Sequence, residues 1–415
     1  MAANQKPRSA PNDRELRLWK VGRALTLTFA VAVLVAGGVF LSLVALLDFQ
    51  EIDKTAKLDA KTLFDLVKLS FGVVAGAGAL VALVVAYRRQ RVDEAGAHRE
   101  ATRLHTERFT QAVEQLGSDS PAVRLGGVHA LAGLADDAPD DNLRQTCIDV
   151  LCAYLRLPHT PDPGDLPDPL PDGTSPAEER RDTHQDKKDR YRALREVRHT
   201  ILRLIGEHYR IPKGTHRSWQ GCNLDLTGVT IDGPMDFTEA VFSGGEVSFA
   251  GARFSGGSVL FSRATFSDSH VHFSGAAFSG SHVDFIGATF SGGRVIFLGS
   301  MFSGGSVRFS RATFSGSNLD FLGSTFSGSD VHFIGATFSG GNVHFIAVNF
   351  SGGAVHFDRA RFSGGDVDFD AARFSGGNVH FNQTTGPAPA GLLQAVGSPV
   401  PTEVRLRTDW LPAIP

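Results

Sequence analysis

The sequence predicts a chain of mixed class: a two-helix transmembrane hairpin and a small all-α module, followed by an all-β solenoid. Three observations carry that expectation. Two charge-free apolar runs lie within the first 87 residues, helical periodicity with capping residues extends to about residue 210, and a Phe-centred repeat then fills residues 219–383. Composition agrees, because 46 Gly and 31 Phe against 4 Tyr and 3 Trp in 415 residues point to repetition rather than a conventional mixed core. The formal net charge of −3 announces no nucleic-acid partner.

After a tail of residues 1–23, the hairpin is expected over residues 24–87, with spans at 24–47 and 69–87. At 1.5 Å per helical residue the first run reaches about 36 Å and the second about 28 Å, enough to cross a bilayer core. A signal peptide would carry a shorter apolar stretch, of roughly 7–15 residues, and no second span. Arg8, Arg14, Arg17 and Arg23 precede the first run, and Arg88, Arg89 and Arg91 follow the second, whereas the loop between them has lysines but no arginine. That asymmetry places both ends in the cytoplasm. The expected location is therefore a bacterial cell membrane, crossed twice. The small residues from Gly72 to Gly78 would let the two helices approach closely.

Residues 88–157 read as a helical module similar to one or two HEAT-like repeats. Phe109, Ala112, Val113 and Leu116 share one helical face. Ser120 is a natural N-cap with Pro121 at the first helical position. Val123, Val128, Leu131 and Leu134 then form an apolar stripe, in which His129 is read as a packing residue. A third helix, residues 142–157, buries Leu143, Ile148, Val150, Leu151 and Leu155. A Pro/Asp-rich linker spans residues 158–176, and a charged helix spans 177–210 with Leu194, Val197, Ile201, Leu204 and Ile205 on its apolar face. Its arginines (Arg190, Arg192, Arg195, Arg198 and Arg203) read as a solvated face. Cys147, Cys152 and Cys222 are too few and too irregularly spaced for a disulfide framework or zinc knuckle, and read as reduced thiols.

One Phe column recurs every twelve residues from Phe242 through Phe254 and Phe266 to Phe374, and a second runs from Phe237 through Phe249 and Phe261 to Phe381. Two residues before each stands a small or aliphatic side chain, such as Ala240 or Val247. This is period-two strand patterning cut into short pieces separated by Gly-bearing corners. Stacked in coils about 4.8 Å apart, the pieces place Phe on Phe and so build a core.

The units "AVFSG", "ARFSG" and "ATFSG", with "CNLDLTGVTIDG" at Cys222–Gly233, resemble the pentapeptide-repeat family over about Trp219 to Gln383. The resemblance implies a right-handed quadrilateral β-helix. Every second unit carries two extra residues at an "SGG" or "SGS" corner, a seven-plus-five departure from the family pattern. A twelve-residue coil would have to enclose two Phe rings in too small a section, so 24 residues per coil and six or seven coils are expected. Residues 384–415 read as a Pro-rich tail.

The outward positions include His332, His356 and His380 on one face, and His344 and Asp368 on the opposite one. His and Asp are suitable zinc ligands, but side chains on a flat β-face point in parallel, so no metal site is expected. The recurring serines read as turn chemistry rather than nucleophiles, and no phosphate loop, kinase signature or nucleophile elbow appears. The expectation is therefore no catalytic, cofactor-binding or metal residue and no cofactor. A membrane-anchored, non-catalytic scaffold is expected, with the lipid bilayer, an unidentified protein and a second copy of the chain as partners. One alternative, implied by the family resemblance, is a DNA mimic that binds a topoisomerase. Another is an exported surface or adhesive protein with reversed topology. Thirteen acidic residues against eight arginines between Cys222 and Gln383 make a weak case for mimicry.

Overall fold

The computed structural model describes residues 60–158, 161–165 and 177–411, with residues 26, 27, 29–31, 33, 34 and 38. Two compact units divide the chain, residues 1–101 and 102–415.

In the first unit, one helix begins at Ala60 and continues to Leu116, 57 residues in all, so that it runs on into the second unit. Among the described residues no helix is long and apolar enough to cross a membrane. This corrects the expected transmembrane hairpin of residues 24–87, and with it the multi-pass location with both ends cytoplasmic. The run 69–87 is an internal stretch of the long helix. Five Ala and three Gly among its nineteen residues supply little apolar area for insertion. Most of the run 24–47 lies outside the described residues.

The second unit opens with the end of that helix, followed by Pro121–Asp136, Asp141–Arg156 and Ala177–Arg210. Ser120 occupies the N-cap position with extended backbone but makes no side-chain cap bond, whereas Asp140 caps the next helix by accepting from Leu143 N at 2.9 Å. Val128, Leu131, Leu134, Ile148, Leu151 and Leu155 are buried. Val123 and His129 are exposed, so His129 does not pack as expected. The third and fourth helices lie against the first coil of the solenoid, where Ile201, Ile205 and Tyr209 join Leu224, Val229 and Phe237 in one core. Gly206 permits the approach, because a Cβ there would stand 2.4 Å from Asp236 O.

The arginines of the fourth helix correct part of another expectation: Arg190, Arg192 and Arg203 are exposed as expected, but Arg195 is half-buried and Arg198 buried. Arg198 is 5 % exposed and donates to Thr230 O at 2.8 Å, Arg195 donates to Asp232 O at 3.0 Å, and Arg210 donates to Thr238 O at 2.6 Å. The outermost coil of any solenoid has carbonyls with no coil beyond to receive them. Three arginines of one helix satisfy that edge instead of facing water.

From Leu224 to His332 each turn contains four short parallel strands, as in Thr265–Ser267, His270–His272, Ala277–Ser279 and His282–Asp284. Partners in the ladder are 24 residues apart, as in Val283 with Val307 and Phe278 with Phe302. The twelve-residue coil is thereby excluded. The strands form sheets of 11, 7 and 8 members, the last giving about eight turns. That exceeds the six or seven expected, partly because Val404–Arg405 adds a strand beyond the repeat. The long strands Thr337–His344 and Arg361–Asp368 run through their corners and join two faces into the 11-stranded sheet.

Four Phe columns fill the interior. Phe309, Phe333 and Phe357 stack with centroids 4.9 and 4.8 Å apart, while Phe321 and Phe345 meet the first two edge-on at 5.9 and 5.4 Å. Stacked contacts along the axis and edge contacts across it are the two arrangements that aromatic quadrupoles favour. Small residues such as Ala264, Ala288 and Ala312 are fully buried between them.

Two kinds of corner turn the chain. One places a residue with positive φ every twelve positions, for example Gly335 at +66° and Arg359 at +58°. The other is the "SGG" or "SGS" corner. Where serine stands third, it is buried and bonds back to the preceding coil, as Ser317 Oγ donates to Gly292 O at 2.6 Å and Ser329 Oγ to Gly304 O at 2.9 Å.

The far end is closed by residues 384–411. Thr385 and Ala390 bridge to Arg361 and Asp368, a short helix spans Leu392–Val396, and Trp410 lies 5.7 Å from Phe381 and 6.3 Å from Phe362.

Candidate functional site

The outward surface of the solenoid offers two places where side chains gather. The first is an apolar corner. Leu298, Met301 and Leu322 are 45 %, 56 % and 38 % exposed, and they are the large hydrophobic side chains exposed between Leu224 and Phe381 among the described residues. All three fall at one corner, for a local reason. Leu298 follows an inward Phe and begins the turn that Met301 leaves, and Leu322 is the equivalent of Leu298 one coil later. Gly299 N donates to Leu322 O at 2.9 Å and Gly323 N to Ile346 O at 3.0 Å, which aligns Leu298, Leu322 and Ile346 along the axis. Sequence inspection missed this ridge. Its signal is the apolar residue after Phe at positions 298, 322 and 346, visible only once the 24-residue period is imposed.

The second place is the histidine face. His332, His356 and His380 are register neighbours, as expected, with ring centroids 5.1 and 5.0 Å apart. Burial, reinforced by the neighbouring His356, holds both His332 and His380 below the ordinary histidine range. Asp358, not singled out from the sequence, turns back beside them. Its Oδ2 lies 3.2 Å from His356 Nδ1, and its Oδ1 accepts from Asn382 Nδ2 at 2.9 Å. Asp358 sits on the corner rather than on the flat face, and one donor atom from each of His356, Asp358 and His380 lies within 4.8 Å of the others. His344 and Asp368 are also register neighbours, yet the described side chains form no ligand group around them.

Below the histidines Arg308 makes a two-pronged pair with Asp284, whose side chain is 7 % exposed. Arg263 likewise pairs with Glu239 at 2.7 Å. Two of the rod's carboxylates are thus matched by arginines of the next coil. The recurring serines are engaged in the ladder, as Ser303 Oγ donates to Phe278 O and Ser327 Oγ to Phe302 O, both at 3.5 Å. Burial pushes the Cys147 thiol up to about 11 and the Cys152 thiol to about 12, which keeps both protonated.

No protein-family model matches the chain, and a search of curated proteins finds no match. The parallel β-solenoid with stacked Phe at about every fifth residue is compatible with a pentapeptide-repeat β-helix.

Proposed function

We propose that the chain is a non-catalytic interaction module: a β-helix of the pentapeptide-repeat type whose apolar corner receives a partner protein. The observation that carries this reading is the convergence on one corner of Leu298, Met301 and Leu322, the exposed large hydrophobic side chains between Leu224 and Phe381 among the described residues. A rigid solenoid suits such a role, since its side chains are held at fixed spacing by the ladder and bind with little ordering cost. Pairing of Asp284 with Arg308 and of Glu239 with Arg263 weighs against mimicry of DNA, which needs unopposed negative charge.

The test is crosslinking and affinity isolation from cells producing the intact chain or its Leu298→Asp/Leu322→Asp variant, with circular dichroism confirming the fold. A protein crosslinked to the intact chain and lost from the variant supports the reading. Equal recovery with both, or no protein crosslinked to either, overturns it.

A further inference from the structure

We propose that His356, Asp358 and His380 form a binding site for a divalent transition-metal ion of the zinc class, joining two consecutive coils near the capped end of the solenoid. The proposal does not depend on the protein-binding reading, which rests on a different face.

The donor set is the first argument. Two imidazoles and one carboxylate are among the combinations that zinc takes, with water in the fourth position. One donor atom from each of the three side chains lies within 4.8 Å of the others, and each residue is half-buried. Ligands around a tetrahedral zinc stand roughly 3.4 Å apart, given bond lengths of about 2.0–2.1 Å. Side-chain rotation of half-buried residues closes that difference without moving the ladder.

The second argument is support behind the donors. Asn382 holds one oxygen of Asp358 at 2.9 Å, and the other oxygen faces His356. A hydrogen bond to the far oxygen, such as Asn382 supplies, is the usual way a ligating carboxylate is oriented. The imidazole spacing is set by the ladder itself, because His356 and His380 are register partners. Binding requires a lone pair on the ligating nitrogen of each ring. Two cations bracket the site. Arg405 is the register partner of His380, and Arg308, already matched by Asp284, lies beyond His332. His332 stacks on His356 without belonging to the donor cluster.

The experiment uses the full chain, untagged and stripped with a chelator, titrated calorimetrically with Zn²⁺ and followed by visible absorption with Co²⁺. The expected result is one ion bound through this cluster, a tetrahedral Co²⁺ spectrum and a raised melting temperature with Zn²⁺. His356→Gln and His380→Gln should each weaken binding at least tenfold and remove the Co²⁺ spectrum, while His344→Gln on another face should leave both unchanged. Circular dichroism of each variant separates loss of the site from loss of the fold. Absence of saturable binding, or binding that survives the His356→Gln/His380→Gln double change, overturns the proposal.

Discussion

Ser329 and Gly353 occupy the same corner in consecutive coils, and a Cβ on Gly353 would stand 2.3 Å from the Ser329 carbonyl oxygen. Gly353 also has φ +78°. Gly335, in the other kind of corner, has a similar φ of +66°, but the nearest atom to its added Cβ is Arg311 Cγ at 3.9 Å. The two sites therefore separate backbone strain from steric exclusion. Gly335→Ala should cost about 1–2 kcal/mol, the penalty of left-handed backbone. Gly353→Ala should lose at least about 2 kcal/mol more, because the carbonyl it meets belongs to an immovable ladder. Urea denaturation of both variants decides the matter, and equal losses would refute the close approach.

Phe333 lies between Phe309 and Phe357 and is fully buried. Replacing it with Ala should cost about 3–5 kcal/mol by analogy with other packed cores. Phe374 is only partly buried at the end of its column, so the same change there should cost less. Outward His344→Ala should stay within about 0.5 kcal/mol. Chemical denaturation that ranks His344 with Phe333 would invert the inside–outside assignment.

Asp232 joins the fourth helix to the first coil. The His199 imidazole beside it, 3.6 Å away, outweighs the opposing effect of burial, and Tyr191 Oη donates at 2.5 Å, so the carboxyl is held well below the usual carboxylate range. Because the folded value is depressed, its contribution is present above the unfolded value of about 3.9 and is lost as pH falls below it towards the folded value. Asp232→Asn should destabilise at neutral pH, and the gap from the parent should narrow progressively below about pH 4. Denaturant unfolding between neutral and strongly acidic pH provides the check. A gap that stays constant across that range would show that this carboxylate is not the acid-sensitive group.

Removing residues 384–415 should expose Phe362, Phe381 and the unpaired edge that Thr385, Ala390 and Val404–Arg405 now cover. Open β-edges pair with one another. The shortened chain should form larger assemblies than the intact one in light scattering after size exclusion. An unchanged mass would mean that the segment is dispensable as a cap.

The twelve-residue recurrence made most of the solenoid legible, since alternation around each Phe assigns inward and outward positions directly. Doubling it to a 24-residue coil placed His332, His356 and His380 in one column. What escaped was whatever lacks a period. Trp410 closes the stack through irregularly spaced residues after Gln383, and a Pro-rich composition hides such a cap. Asp358 reaches His356 by leaving the strand at a corner, which inward–outward alternation does not represent. Arg195 and Arg198 of the fourth helix were misread because periodicity shows that Arg198 lies off the apolar face, yet says nothing of the carbonyl edge facing it.

Each 24-residue turn consists of two twelve-residue halves that are nearly interchangeable inside but different outside. Inserting or deleting twelve residues would keep aromatic rings continuous along the axis while carrying every later surface residue to the opposite side. A change of 24 would restore the facing. Growth of this stack thus has two step sizes: the shorter shuffles what the rod displays, and the longer only extends its reach.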